Sequence, residues 1–139
     1  MTDFLSPSER SRRMASIRGK DTAPEMVLRR ALHARGLRFR LHRKALPGKP
    51  DLIFPKYKAV VFVHGCFWHR HPNCKIATTP KSNTEFWIQK FKKNVARDAT
   101  VIELLKKQGW RVFVVWECEV STAAKIQATA QLLEEQLRS

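Results

Sequence analysis

PDLIFPKYKAVVFVHGC, residues 50–66, holds the two apolar runs that decide the fold. The runs, Leu52–Phe54 and Ala59–Val63, are too short for helices and are separated by only four residues. Apolar runs joined in this way are typical of a β-hairpin. Counting outward from the turn, we expect Asp51 to lie opposite His64, so that the polar residues ending the two runs come together.

A βαβ unit follows the hairpin. The amphipathic stretch 85–108 predicts a long helix, and Trp110–Trp116 predicts another buried strand. A strand, a helix and a second strand in this order make the two strands parallel. Parallel strands finish at the same edge of a sheet, so Cys118 is expected beside His64, Gly65 and Cys66.

Helices are predicted on both sides of these strands. Capping-box patterns begin at Ser6, Thr22 and Ser82, and Ser121 opens a last helix. Alternating residues at 37–41 predict a further strand. The order predicts one α/β domain over residues 1–139, with a mixed central sheet flanked by helices and a basic N-terminal helical arm at residues 1–20. The buried stripe of the long helix is expected to consist of Ile88, Phe91, Val95, Ile102 and Leu105.

Net charge is the unusual feature of the composition. The chain has 27 Lys and Arg against 12 Asp and Glu, a formal net charge of +15. An imbalance of this size predicts a polyanionic partner, and nucleic acid is favoured because Lys and Arg neutralise its phosphates. The sequence shows no basic amphipathic helix with a broad apolar face, no lipidation motif and no signal peptide. We therefore expect a cytoplasmic protein without a membrane partner.

Cysteine and histidine crowd the loop that follows the hairpin. Cys66, His69, His71 and Cys74 lie close together in sequence, and the predicted topology brings Cys118 to the same edge. Three Cys and one His are an established tetrahedral ligand set for structural zinc. The residues alone leave open whether His69 or His71 is the fourth ligand. They also leave open whether the cysteines are simply buried apolar side chains.

A hydrolytic centre is predicted at the same sheet edge. Asp51 is a strand-end carboxylate, a hard ligand suited to Mg²⁺. His64 and His69 can exchange protons near neutral pH. A metal to neutralise a phosphate and a histidine to handle protons are together sufficient to hydrolyse a phosphodiester. Each residue also has a structural alternative, because Asp51 fits a turn, His64 fits a core and His69 fits the zinc site.

Several motifs resemble those of the very short patch repair (Vsr) endonucleases. The longest is VFVHGCFWH at residues 61–69, preceded by Pro50-Asp51. Further matching segments are Met14–Ile17, Asp21-Thr22 with Glu25, Thr84–Trp87, Lys93–Val95, Arg97-Asp98, Gly109–Val112 and Trp116–Cys118. The resemblance covers about residues 12–118. It implies a restriction-endonuclease-like fold and an enzyme that nicks DNA on the 5′ side of the thymine in a T:G mismatch.

The resemblance also implies roles for the site residues. Asp51 would hold a catalytic Mg²⁺, His69 would be the general base, and His64 would assist at the scissile phosphate. Glu25 would be an auxiliary acid. Position 63 is Val where Thr is expected, so only the backbone carbonyl of Val63 can serve the Mg²⁺. The implied zinc ligands are Cys66, His71, Cys74 and Cys118.

Contacts with DNA are implied on both sides of the duplex. Phe67 and Trp68 would be inserted into the base stack beside the mismatch, and Met14 and Ile17 would enter from the opposite groove. Insertion costs unstacking energy, and a mismatched pair resists it less, so the cost itself favours the mismatch. Basic residues expected to contact DNA are Arg13, Arg18 and Lys20.

These inferences together predict a monomeric bacterial enzyme of the nucleoid. Its partners would be T:G-mismatched duplex DNA and other mismatch-repair proteins. One alternative is a related nuclease with a different site specificity. The other is a zinc-stabilised DNA-binding module without catalysis, which would leave Asp51 and His64 without a role.

Overall fold

A computed structural model describes residues 22–41 and 46–139 of the chain. The predicted N-terminal arm and its DNA-contact residues Arg13, Met14, Ile17, Arg18 and Lys20 lie outside the described residues. The elements in chain order are α1 (Ala23–Ala34), β1 (Arg40–Leu41), β2 (Leu52–Phe54), β3 (Ala59–His64), α2 (Thr84–Lys107), β4 (Arg111–Trp116) and α3 (Ala123–Arg138). Short 3-10 turns at Pro55–Tyr57 and Glu117–Val120 follow β2 and β4.

The four strands form one mixed sheet in the order β1-β2-β3-β4. The β1–β2 and β2–β3 pairs are antiparallel, whereas β3 and β4 are parallel. The predicted hairpin, the βαβ unit and the mixed sheet flanked by helices are therefore confirmed. The parallel pair ends with His64 beside Trp116, which brings the segment after β3 next to the segment after β4.

The predicted register of Asp51 is wrong. In the hairpin Leu52 pairs with Val61, so Phe62 and not His64 is the next residue across from Asp51. The four-residue connection between the strands is symmetric about its centre, and counting from that centre gives Phe62. Because alternate residues of a strand share a face, His64 still lies on the same face as Phe62, the face that α2 covers.

Each face of the sheet carries its own hydrophobic core. Under α1 and α3 the buried residues include Leu28, Leu32, Leu52, Phe54, Val61, Leu133 and Leu137. Under α2 the core is smaller and consists of Ile53, Val60, Phe62, Leu105 and Trp110. Alternation along β2 and β3 explains the division, since successive side chains point to opposite faces. The cleft described below lies on the α2 face.

Two helix predictions were wrong in detail. The Thr22 side chain makes no capping bond to α1, and Glu25, the other half of the predicted capping box, is buried at 1 % exposure. Val95, expected on the buried stripe of α2, is 46 % exposed. In this part of α2 the residues that face inward are Asn94 and Asp98, which line a cleft.

α2 also starts without the cap predicted at Ser82. Its N-cap is Asn83 in the left-handed region, with φ 52° and no side-chain capping bond. Among the described residues, no helix is apolar enough over a sufficient length to cross a bilayer.

Candidate active site and metal centre

A cleft of about 810 Å³ opens at the edge of the sheet where β3 ends. Its walls are the first turn of α1, the start of β2, the end of β3 with the loop that follows, and the inward face of α2. The titratable residues that line it include Glu25, Asp51, His64, His69 and Asp98. The cleft therefore collects residues that are as many as 95 positions apart in the chain, from Thr22 to Glu117.

Asp51 and Glu25 form the acidic wall of the cleft. The backbone N–H of Val63 donates a 2.7 Å hydrogen bond to Asp51 Oδ2, which fixes the carboxyl against β3. Burial raises the pKa of Asp51 to about 7, opposed by the Val63 bond and reinforced by the negative charge of Glu25. Glu25 also accepts a 3.2 Å bond from Arg29. Two acids held this close are better accommodated with a divalent cation between them, and carboxylate oxygens are the ligands that Mg²⁺ prefers.

His64, His69 and Asp98 form the opposite wall. His69 Nδ1 lies 2.7 Å from Asp98 Oδ2. The two imidazoles are stacked, with centroids 3.9 Å apart and planes 6° from parallel. Burial, together with the charge of His69 and opposed by Asp98, lowers the pKa of His64 to about 4. His64 is thus neutral at pH 7, and Asp98 leaves Nε2 as the nitrogen through which His69 exchanges a proton.

These three residues are better suited to moving a proton than to binding an ion. One donor atom from each lies within 4.8 Å of the others, a spacing that a metal ion could use. However, the nitrogen lone pairs of an imidazole lie in its ring plane. Two rings stacked almost parallel cannot both direct a lone pair at one ion. The carboxylate bound to Nδ1 instead resembles the arrangement that orients a histidine general base.

A second cluster joins the loop after β3 to the turn after β4. The donor atoms of Cys66, His71, Cys74 and Cys118 all lie within 4.8 Å of one another. His71 Nδ1 is 3.6 Å from Cys66 Sγ and 3.4 Å from Cys118 Sγ. His71, and not His69, therefore joins the cysteines, because the Nδ1 of His69 is bound to Asp98.

The donor set of this Cys/His cluster fits zinc. Three thiols and one imidazole converge, which three independently buried cysteines have no reason to do. Burial raises the pKa of the Cys66 thiol to about 12. A hydrogen bond from the backbone N–H of Ile76 lowers the pKa of the Cys74 thiol to about 7. A bound cation would hold all three sulfurs as thiolates, and zinc is the structural ion that this set prefers.

Backbone bonds shape the loop that carries both histidines. The N–H groups of His69 and His71 donate to the carbonyls of Gly65 and Cys66, at 3.1 and 3.0 Å. Glu117 accepts the N–H of Cys66 at 2.9 Å. The loop is thus tied to the turn after β4 by Glu117, next to Cys118.

Comparison with known proteins gives the site its context. Residues 2–75, more than half of the chain, match the family of the DNA mismatch endonuclease Vsr. The chain belongs to the Vsr family. It is 50 % identical over 128 residues to the type II nicking enzyme V.XorIIP of Xanthomonas oryzae pv. oryzae, covering 92 % of this chain and 93 % of that protein. It is 42 % identical over 137 residues to the DNA mismatch endonuclease Vsr of Escherichia coli, covering 97 % and 87 %. A further relative, the type II nicking enzyme V.NmeAIP of Neisseria meningitidis, is 47 % identical over 124 residues, covering 89 % and 88 %.

The resemblance described above is therefore confirmed, and with it the enzyme class. A chain of the Vsr family is a DNA endonuclease, so the prediction of an endodeoxyribonuclease is correct. The alternative of a DNA-binding module without catalysis is set aside, since the family and the acid and histidine walls both indicate an enzyme.

Aromatic side chains of this Vsr-family chain adjoin the cleft. Phe67 and Trp68, the residues expected to insert into DNA, pack against Trp87 with ring centroids 5.8 and 5.7 Å away. Trp68 is only 7 % exposed, whereas Phe86 beside Trp87 is 60 % exposed. Insertion of Trp68 into a base stack would require it to leave Trp87.

Sequence reasoning missed Asp98 as a site residue, although a signal was present. Asn94 and Asp98, one turn apart, interrupt the apolar inward face of α2 with two polar side chains. Asn94 donates to the carbonyl of Trp68 at 3.2 Å, and Asp98 binds His69. Polar residues at inward positions of an otherwise apolar helix face commonly serve a site.

Arg70 was also missed. Its guanidinium donates to the carbonyls of Phe67, Ala77 and Thr78 at distances between 2.9 and 3.1 Å. It also lies 3.9 Å from the ring centre of Phe91. Arg70, between the two histidines in sequence, thereby links the start of the loop at Phe67 to the segment at residues 77–78.

Proposed function

We propose that this chain nicks double-stranded DNA at T:G mismatches, on the 5′ side of the mismatched thymine, in a reaction that uses Mg²⁺. It does so as a single domain of restriction-endonuclease-like fold. The proposal rests on two groups of side chains that line one cleft: the acids Asp51 and Glu25, and the pair formed by Asp98 and His69. Hydrolysis of a phosphodiester needs both a cation ligand set and a proton acceptor.

Asp51 and the backbone carbonyl of Val63 would hold the catalytic Mg²⁺, with Glu25 beside Asp51 as an auxiliary acid. A cation there would supply positive charge to neutralise the scissile phosphate. The Val63 N–H holds the Asp51 carboxyl in place through its 2.7 Å bond. The aliphatic Val63 side chain offers no oxygen, and it packs against the core on the opposite face of the sheet.

His69 is the general base that takes a proton from the attacking water. Asp98 orients its ring and stabilises the positive charge that His69 acquires. His64, neutral because of its burial, contacts the phosphate from the adjoining stacked position. Cys66, His71, Cys74 and Cys118 hold a structural Zn²⁺ that supports the loop carrying His69.

DNA binding draws on the net charge of +15 and on aromatic insertion. Phe67 and Trp68 enter the stack from one groove, and Met14 and Ile17 enter from the other. Arg13, Arg18 and Lys20 contact the backbone. The enzyme acts as a monomer in the bacterial cytoplasm, at the nucleoid, with other mismatch-repair proteins as further partners.

A related nuclease with another site specificity is the second candidate. Two of the relatives described above are named type II nicking enzymes rather than mismatch endonucleases. In this case the same cleft and metal chemistry operate, and only the recognised duplex differs.

The deciding experiment compares end-labelled duplexes that differ in one base pair. A T:G mismatch and the matched T:A and C:G pairs are placed in several flanking sequences, each with and without Mg²⁺. We expect one nick, 5′ of the mismatched T, only with Mg²⁺. Equal nicking of matched duplexes would favour the second candidate, and no nicking of any duplex would contradict both.

A further inference from the structure

A column of four aromatic rings joins the Cys/His cluster to the acid–histidine wall of the cleft. The ring of His71 stacks on Trp116, with centroids 4.3 Å apart and planes 12° from parallel. The Trp116 ring meets His64 edge-on, at 5.3 Å and 72°. His64 in turn stacks on His69 at 3.9 Å. Each ring thus contacts the next, from a thiol-bound histidine to the histidine that binds Asp98.

The topology of the sheet places Trp116 in this column. Trp116 and His64 are the last pair of the parallel β3–β4 ladder, so their side chains stand next to each other on one face. The backbone N–H of Trp116 donates to the Glu119 carboxylate at 2.8 Å, which anchors the main chain of Trp116 just as the chain turns toward Cys118.

We propose that Trp116 is a positioning residue that sets the orientation of His64 and His69 relative to the Cys/His cluster. His64 stacks on His69 and meets Trp116 edge-on, so the indole limits how far the His64 ring can tilt. A base must be held within a narrow range of distance and angle to accept a proton efficiently. The kinetic part of this inference rests on the proposed function, whereas the positional part does not.

Trp110 at the other end of β4 shows what a purely structural tryptophan looks like in this sheet. It is 9 % exposed, belongs to the core under α2, and has the Lys58 ammonium 4.3 Å from its ring centre. It lies at the opposite edge of the sheet from the cleft. Trp110→Leu is therefore a matched control, since it removes the same atoms next to the same strand.

The positional test uses the zinc-loaded protein labelled with ¹³C in its histidine rings. In Trp116→Leu we expect the ¹³C-edited NOEs between the ring protons of His64 and His69 to weaken, with zinc content equal to that of the parent by elemental analysis. Trp116→Phe, which keeps an aromatic ring, should preserve more of these NOEs. Trp110→Leu should leave them unchanged. Unchanged His64–His69 NOEs in folded Trp116→Leu would overturn the proposal, and so would loss of zinc, because Trp116 would then only support the cluster.

The kinetic test uses a T:G duplex at saturating and limiting concentrations. Loss of a residue that orients a catalytic group costs about 10-fold or more. We expect a fall of that size in kcat for Trp116→Leu, an unchanged KM, and substantial rescue in Trp116→Phe. An equal loss in Trp110→Leu would show a general effect of destabilisation and would also overturn the proposal. If the parent nicks no duplex, the proposed function fails, but the NMR comparison still decides whether Trp116 positions the histidines.

Discussion

His69 and His71 differ by two positions in the chain and face entirely different surroundings. His71 lies among three thiols, with Cys66 Sγ and Cys118 Sγ at 3.6 and 3.4 Å from its Nδ1. His69 has a carboxylate oxygen at 2.7 Å from the same atom. Sulfur donors close a site around a soft ion, whereas a carboxylate partner leaves the other ring nitrogen for proton transfer. The chemistry of each histidine is thus decided by its partner and not by its place in the loop.

The Cys/His cluster accounts for the largest expected effect. Cys118→Ser removes a thiolate from the four-residue set, and structural zinc supplies about 10 kcal/mol or more of folding free energy in small domains. We expect the variant to lose bound zinc and its cooperative unfolding transition, measured by elemental analysis and thermal denaturation. Ser121→Ala, in the same turn, is the control. A Cys118→Ser protein with one zinc per chain and the unfolding midpoint of the parent would show that the cluster is not a zinc site.

The histidine of the cleft should respond in the opposite way. His69→Ala removes the general base, which contributes about 10²–10⁴-fold to catalysis. We expect nicking to fall by that factor while the zinc content and the unfolding midpoint stay as in the parent. His33→Ala, an exposed histidine on α1, is the control. If His69→Ala lost zinc, the assignment of His69 to catalysis and of His71 to the zinc site would be wrong.

Asp98 sharpens the comparison further, because it is the partner that makes His69 different from His71. Asp98→Asn keeps the size of the side chain but removes the charge that stabilises a protonated imidazole. We expect kcat to fall about 10²-fold or more, the cost of a misplaced general base, with little change in KM for the duplex. Glu103→Gln, an exposed acid on the same helix, should leave kcat unchanged. A KM effect without a kcat effect would assign Asp98 to DNA binding.

The sequence predicts much of the frame but not the assignment of these partners. The hairpin, the parallel β3–β4 pair and the approach of Cys118 to Cys66 follow from apolar periodicity and chain connectivity, which act locally. The division between His69 and His71 depends on Asp98 and Cys118, residues 29 and 47 positions further along the chain. The polar interruption at Asn94 and Asp98 marks inward-facing side chains, but no local pattern tells which histidine Asp98 meets, and for the same reason Trp116 was not anticipated.

The acidic wall adds a prediction about stability, separate from the loss of nicking that removal of a Mg²⁺ ligand should cause. Burial raises the pKa of Asp51 from 3.8 to about 7, so the folded state binds a proton there more tightly than the unfolded state does. This group therefore destabilises the fold increasingly as pH rises from about 4 to about 7, and by a constant amount above that. Asp51→Asn, which cannot ionise, avoids the penalty. A pKa change of this size corresponds to at most about 4 kcal/mol.

Asp51→Asn should accordingly be more stable than the parent, and its advantage should grow between pH 5.5 and pH 8. Denaturant unfolding of the zinc-loaded proteins without added Mg²⁺ measures the difference, and effects of pH on the cysteines cancel because both proteins share them. Added Mg²⁺ should remove much of the advantage, because a cation that neutralises Asp51 and Glu25 stabilises only the parent. An advantage independent of pH would mean that Asp51 is ionised at no cost in the folded state. An advantage that Mg²⁺ leaves untouched would place the catalytic cation elsewhere in the cleft.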